Sequence, residues 1–201
     1  MHININNFSK SEIIPPTGYL SGRLLIATPL VGTPAFSRSV ILMYAHDEQG
    51  AMGIIINHVI ENINYQDLFE QLAINSEKYT QKLPVHYGGP VEINRGFIIY
   101  NYNEFPHEET IMAVNNIAVS CSINVLREIA EGNGPKNKLL ALGYAGWSAG
   151  QLEAEIEANS WISVTATPEL IFESDNNKKW KMAAESDGID ISRVVTNVGH
   201  A

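Results

Sequence analysis

Short apolar runs separated by polar turns dominate the pattern along the chain, and such runs are typical of strands. Residues 39–44 are apolar and β-branched, and residues 51–57 repeat this pattern after the polar link 46–50. A five-residue polar link that contains glycine favours an antiparallel hairpin. Gly53 within the second run indicates a bulge or a close backbone approach. Further strands are predicted over residues 20–27, 84–87, 95–100, 161–165 and the two halves of 111–119, which Asn115 and Asn116 divide.

Helical spacing of apolar residues predicts fewer helices than strands. The first begins after Asn64, a favoured N-cap residue. Either Ser120 or Ser122 is expected to cap a second helix that ends at Ile129. Two more are predicted over residues 151–158 and 179–185. Strands and helices do not alternate regularly, which favours an α+β fold over a doubly wound parallel sheet.

The stretch 138–159 carries the motif that bears most on function. An apolar run over residues 139–142 is followed by a glycine-rich connection, predicted as a tight turn, and then by a helical pattern. The connection contains Gly-Trp-Ser-Ala-Gly, which fits a hydrolase nucleophile elbow at Ser148. The alternative is a capping box in which Ser148 caps the helix and Gln151 reaches back. Only His200 follows Ser148 as a base in the elbow order, so we favour the cap and assign no catalytic residue.

Composition limits the function classes. The chain has 201 residues, 45% of them hydrophobic, and a formal net charge of −9. The acidic balance disfavours a phosphate backbone as partner, so no direct nucleic-acid binding is expected. No apolar run approaches the ~20 residues of a membrane span, and Cys121 is the single cysteine, which suits a reducing cytoplasm. We expect a cytoplasmic protein with a flexible arm over residues 1–17 and one domain over 18–201.

A candidate binding cleft is expected where residues 143–151 meet the Gly88-Gly89-Pro90 turn and the hairpin at His46. The alternative is that the same glycines and aromatic residues only pack the fold. His46, Asp47, Glu48 and nearby His58 could bind a metal, but no i, i+4 ligand pair supports them, so no metal or cofactor is predicted. The candidate cleft residues are His46, Asn57, Gly88, Gly89, Tyr144, Trp147, Ser148 and Gln151.

Four ordered blocks resemble the bacterial YqgE/AlgH family, from about residue 18 to the C-terminus. They are LSGRLLIATP with FSRSVILMYAHDEQGAMGIIIN, then YGGPV with RGFIIY, then LGYAGWSAGQLEAEI, then NSWI. The resemblance implies an α+β domain with a bent, largely antiparallel, partly barrel-like sheet surrounded by helices. One departure is Thr33 before Pro34, where the family usually has aspartate.

The family is largely uncharacterised, and some of its members are described as transcriptional regulators without an established mechanism. The resemblance therefore implies little about activity, and we favour a regulatory or interaction protein over an enzyme. We expect it to influence transcription indirectly, through a protein partner or a small ligand. The alternative is a small-molecule enzyme, either a hydrolase that uses Ser148 or an enzyme that uses His46.

Overall fold

The computed structural model describes residues 20–189. The predicted arm 1–17, part of the predicted domain 18–201, and His200 lie outside this part. The strands are β1 Leu24–Ala27, β2 Val40–Asp47, β3 Gly50–Ile55, β4 Val59–Asn64, β5 Pro84–Tyr87, β6 Val91–Asn101, β7 Met112–Val114, β8 Ile117–Ser120, β9 Lys138–Ser148 and β10 Trp161–Val164. The helices are α1 Tyr65–Gln71, α2 Ile123–Ala130, α3 Gln151–Glu157 and α4 Asn176–Ser186, with a 3₁₀ turn at Pro34–Phe36 and a π-helical turn at Glu169–Glu173.

The strands form one open sheet in the order β10-β1-β2-β3-β9-β6-β8-β7. All of these neighbours are antiparallel. Strand β5 pairs in parallel with β9, and β4 pairs with β5. The predicted α+β class with a largely antiparallel sheet is therefore confirmed, and the sheet stays open instead of closing into a barrel.

The predicted hairpin is present as β2 and β3. The two strands pair from Ile41–Ile55 to Asp47–Gly50, with a register shift at Tyr44. A Cβ on Gly53 would lie only 2.5 Å from Cγ2 of Ile41, so the close approach at this glycine is to a side chain of β2. The register shift lies directly opposite, between Met43 and Ala45, which agrees with the predicted bulge.

Side-chain caps begin three of the four helices, and two of them match the sequence prediction. Asn64 accepts from the backbone amides of Gln66 and Asp67, and the Asp67 carboxylate accepts in turn from the amide of Asn64, which completes a capping box. Ser122, rather than Ser120, caps α2 by accepting from the amide of Asn124.

The glycine-rich stretch 143–148 differs from its prediction as a tight turn. Strand β9 continues to Ser148 and pairs with β3 from Ala145 onward. Gly143 has a φ of +77°, a left-handed conformation that bends the strand without ending it. As a result β9 pairs with β5 and β6 through its first half and with β3 through its second.

Helices cover the sheet and enclose three apolar clusters. Helix α4 and the π-helical turn pack on a cluster that includes Leu42, Ile54 and Phe97. Helices α1 and α2 cover a second cluster. Helix α3 covers a third, which contains Trp147 and Trp161. The third cluster lies beside the candidate site, because Trp147 belongs to both. Helix α3 therefore packs behind this side of the site.

Candidate functional site

Two predicted site residues lie where the chain crosses strand β9. The segment from β5 to β6 passes from one side of β9 to the other at this point. A Cβ on Gly88 would overlap the carbonyl of Gly143, and a Cβ on Gly89 would overlap the backbone of Tyr144. A Cβ on Gly143 would likewise overlap the carbonyl of Gly89. The contact is backbone to backbone, so these glycines have a packing role that needs no ligand.

A cleft of about 540 Å³ lies beside this crossing, between the β2–β3 hairpin, the end of β9 and the start of β6. Its apolar lining includes Met52 and Val91, whose exposed fractions are 39% and 37%, values that are high for side chains of this kind. Gly146 lies opposite Met52 in the sheet and adds no side chain to the space. Polar lining residues are Ser21, Asp47, Gln49 and Ser148.

Tyr144 forms an aromatic wall of the cleft and is anchored in the main core. Its ring lies edge-on to Tyr44 and Phe97, with centroids 6.5 and 5.9 Å away. Partial burial, helped by nearby Glu92, raises the pKa of the Tyr144 hydroxyl, which is therefore protonated at neutral pH. Tyr144 therefore joins the cleft to the core, and its hydroxyl is a polar group beside the cleft.

His46 borders the cleft, but its ring is tied to helix α3. Only 3% of its side chain is exposed, and its Nε2 lies 2.8 Å from Oε1 of Glu153. The pKa of the Glu153 carboxyl is lowered by its own backbone amide and by His46. This contact joins β2 to α3, a positioning role that leaves the ring poorly accessible to a substrate.

Trp147 is buried against α3 at the strand-to-helix junction. Its Nε1 donates to Oε2 of Glu155 at 2.9 Å, and Nε1 of Trp161 donates to the same oxygen at 2.6 Å. The two indoles meet edge to face, 5.8 Å apart. Gln151 donates to the other carboxylate oxygen at 2.9 Å. Glu155 therefore holds three side chains in place behind the cleft.

The predicted N-cap at Ser148 is wrong. The N-cap of α3 is Gly150, with a φ of +75° and no side-chain cap. Strand β9 continues to Ser148, so the N-cap lies two residues further along the chain than predicted, while the helix begins at Gln151 as predicted. Only the reverse half of the capping box exists, in which Oε1 of Gln151 accepts from the amide and the hydroxyl of Ser148 at 3.1 and 3.2 Å. An amide oxygen does not take a proton at neutral pH, so this contact does not activate the hydroxyl.

Asn57 lies away from the cleft. Its Oδ1 accepts from the amide of Val40 at 2.8 Å, and its Nδ2 donates to the carbonyl of Arg38 at 2.9 Å, so it ties the segment after β3 to the start of β2. The structure thus brings His46, Tyr144, Trp147 and Ser148 to the cleft, Gly88 and Gly89 to the crossing, and Gln151 to α3. The prediction missed Met52 and Val91.

Two other potential chemistries lack support in the described part of the chain. Cys121 is fully buried, and burial raises the pKa of its thiol to about 11, which keeps it protonated at neutral pH. No group of three or more His, Cys, Asp or Glu residues within 20–189 is arranged to hold a metal ion.

None of the helices in that range is long and apolar enough to cross a membrane.

Comparison with known proteins identifies the family. The sequence profile described as AlgH-like matches residues 24–192. The chain belongs to the AlgH-like family. A UPF0301 protein of Bradyrhizobium diazoefficiens is 42% identical over 196 residues, which cover 93% of this chain and 92% of that protein. A UPF0301 protein of Rhodospirillum rubrum is 41% identical over 184 residues, with 92% and 95% coverage.

Solved structures show the same fold. The solution structure of the AlgH protein from Pseudomonas aeruginosa matches with a TM-score of 0.70 and 34% identity, covering 95% of this chain and all of that one. A crystal structure from Corynebacterium diphtheriae gives a TM-score of 0.70 at 18% identity, with 94% and 95% coverage. The second similarity concerns the fold alone. The resemblance to the YqgE/AlgH family is thereby confirmed.

Proposed function

We propose that this AlgH-like protein is a binding module whose cleft takes a small, largely apolar molecule. The observation that carries the proposal is the cleft beside Tyr144. Met52 and Val91 expose apolar surface there, and Gly146 leaves the space beside them unfilled. Its volume of about 540 Å³ lies within the range of small-molecule sites, roughly 300–1,000 Å³. An apolar floor with a few polar groups at the edge is the usual composition of such sites.

The polar lining narrows the class of ligand. Asp47 is the only ionisable carboxylate among the lining residues, and no lysine or arginine belongs to that set. An anion would meet no countercharge there, whereas a neutral or cationic molecule would not be repelled. The Tyr144 hydroxyl can donate or accept a hydrogen bond, whereas the Ser148 hydroxyl already donates to Gln151 and can only accept from a ligand. The favoured ligand is therefore a neutral or cationic molecule with an apolar body and one polar end.

An enzymatic role has less support. Ser148 contacts an amide oxygen instead of a base, and His46 is nearly buried against Glu153. Labelling of purified protein with a fluorophosphonate, followed by intact-mass measurement, tests the hydrolase alternative directly. Covalent modification at Ser148 would overturn the binding-module proposal, and an unmodified protein agrees with it.

Filling the cleft tests the binding proposal. Gly146 tolerates a side chain, because its φ is not left-handed and an added Cβ would meet Tyr144 at an ordinary 3.4 Å. Gly146→Val therefore suits the strand and occupies the space beside Met52. The matched control is Gly32→Val, since a Cβ at Gly32 has no neighbour within 4 Å. The readout is fluorescence titration with Nile red, a neutral apolar dye.

We expect the unmodified protein and Gly32→Val to bind the dye alike and Gly146→Val to bind at least about tenfold more weakly, a change of about 1.4 kcal/mol. Mass analysis of small molecules that co-purify with each protein then searches for the natural ligand. Equal dye binding by all three proteins would show that the cleft is not a ligand site.

We further propose that any influence on transcription is indirect, exerted from the cytoplasm through this ligand or a protein partner. The net charge of −9 opposes approach to a phosphate backbone. Binding titrations of nuclease-treated protein against promoter and random DNA at two salt concentrations test this point. Sequence-selective binding near 10⁻⁸ M, the order expected of specific DNA-binding proteins, would contradict it.

A further inference from the structure

A second cavity lies on a different part of the molecule and shares no lining residue with the cleft. Its volume is about 270 Å³, and it lies between the segment that follows α1, residues 78–81, and the loop that follows α2, residues 132–138. Gly132 lies beside Lys78, and its φ of +84° is a left-handed conformation that favours glycine in this loop. Gly134 packs against Ile129 so tightly that a Cβ would overlap it.

The lining of this cavity is positively charged, whereas the whole protein is negatively charged. Its ten lining residues include Lys78, Lys136 and Lys138 and no aspartate or glutamate. The whole chain has 13 lysines and arginines against 22 acidic residues. Three cations around one small concave space repel one another unless an anion joins them. The lining of this cavity therefore carries only positive formal charge, in a chain that is acidic overall.

Lys138 is the buried member of the three, with 9% of its surface exposed. Its Nζ donates to Oε1 of Gln81 at 3.0 Å and to the carbonyl of Pro135 at 2.8 Å. Both acceptors are neutral, and an ammonium has three N–H groups, so one donor has no acceptor within residues 20–189. Burial lowers the pKa of the Lys138 ammonium, and the charge of Glu104 partly opposes this shift. The two carboxylate oxygens of Glu104 accept hydrogen bonds from Asn137 at 2.7 and 2.9 Å.

Tyr79 supplies a second group without a partner. It lines the cavity, is 5% exposed, and its buried hydroxyl makes no hydrogen bond within the described residues. Burial raises the pKa of this hydroxyl, so it stays protonated and can donate. A buried polar group without a partner is unfavourable, so an acceptor that reached this hydroxyl would be stabilised.

We propose that this cavity binds a phosphate group, either as inorganic phosphate or as the monoester of a small metabolite. Lysine is a common phosphate ligand that acts as a point charge, and phosphate oxygens accept from ammonium and hydroxyl donors alike. Lys138 forms the buried end of the site beside the ring of Tyr79, and Lys78 and Lys136 form its exposed rim. The volume admits a phosphate with a short organic group and excludes a large ligand.

The experiment is calorimetric titration of the full chain, in two arms, with inorganic phosphate and with glycerol 3-phosphate at constant ionic strength. Lys78→Ala and Lys136→Ala remove exposed cations, so both variants are expected to fold normally. Lys178→Ala is the matched control, because it makes the same charge change at an exposed position of α4 outside the cavity.

We expect saturable binding in at least one arm below about 1 mM and a loss of affinity of about tenfold in each rim variant, because each variant removes one cation that pairs with the anion. Lys178→Ala should bind like the unmodified protein. Binding in the phosphate arm alone assigns the free ion, and tighter binding of glycerol 3-phosphate assigns a monoester. Absence of binding in both arms, or an equal loss in Lys178→Ala, would overturn the proposal.

Discussion

The carboxylate of Glu155 is the strongest single link between helix α3 and the sheet, and its removal gives the sharpest test of the structure. It accepts from the indoles of Trp147 and Trp161 and from the amide of Gln151. Both indoles are buried, so in Glu155→Ala their N–H groups would face apolar surroundings without an acceptor. We predict that this substitution destabilises the protein strongly.

The magnitude follows from the two orphaned donors. Each buried donor that loses its partner costs about 1–3 kcal/mol, and partial access of water to the half-buried Glu155 site places the sum at about 2–4 kcal/mol. A chain of this size loses about 2–4 °C of melting temperature per kcal/mol, so the expected decrease is about 5–15 °C. Glu155→Gln keeps an acceptor oxygen and loses only the charge, for which we expect about 1 kcal/mol.

Urea unfolding followed by tryptophan fluorescence measures these differences, provided that the m-value is unchanged. Glu157→Ala is the control, because it removes an exposed glutamate from the same helix. The reasoning would be refuted if Glu155→Ala unfolded within about 0.5 kcal/mol of Glu157→Ala, the range of ordinary surface substitutions. Such a result would mean that water satisfies both indoles and that the apolar contacts of α3, together with the His46–Glu153 contact, are enough to hold it.

Three further predictions concern the motif, the crossing and a buried histidine. Ser148→Ala should change the unfolding free energy by less than about 0.5 kcal/mol in urea titrations, because Ser148 is not a cap; a loss near 1 kcal/mol would restore the capping hypothesis. Gly88→Ala should cost at least about 2 kcal/mol by the same measurement, because its Cβ overlaps the Gly143 carbonyl, and stability equal to the parent protein would exclude the crossing. Burial lowers the pKa of His86 to about 4, so between about pH 6.5 and 4 only the unfolded chain takes up the proton, and the unfolding free energy should decrease as pH falls. His86→Gln should flatten that part of the pH profile, and an unchanged slope would assign it to other groups.

Local signals in the sequence predicted the elements whose stability is local. The β2–β3 hairpin follows from two apolar runs and a polar link, and the caps at Asn64 and Ser122 follow from residues that satisfy nearby amides. Strand β4 was missed, because Val59–Asn64 alternates polar and apolar residues irregularly and pairs only with a short strand more than twenty residues away. No short window of sequence reports such a partner.

The sequence predicted the candidate site only in part, because some of its residues meet through long-range pairing. The aromatic and glycine residues of 143–148 mark the region, but the cleft exists because β9 continues through the glycines and places Gly146 opposite Met52. The prediction of a turn there treated each glycine as a break in structure. Val91 joins the site only through the crossing of β9, a long-range feature that composition does not reveal.

Gly143 and Gly146 occur in strand β9 for different physical reasons, and this difference bears on function. Gly143 is required, because its φ is left-handed and a Cβ would overlap the carbonyl of Gly89. Gly146 is not required by the backbone, since a side chain there would meet Tyr144 and Val91 at 3.4 and 3.9 Å. Strand interiors normally favour side chains over glycine. The missing side chain at Gly146 therefore costs the sheet some stability and leaves the cleft open, which is the combination expected where another molecule approaches the backbone.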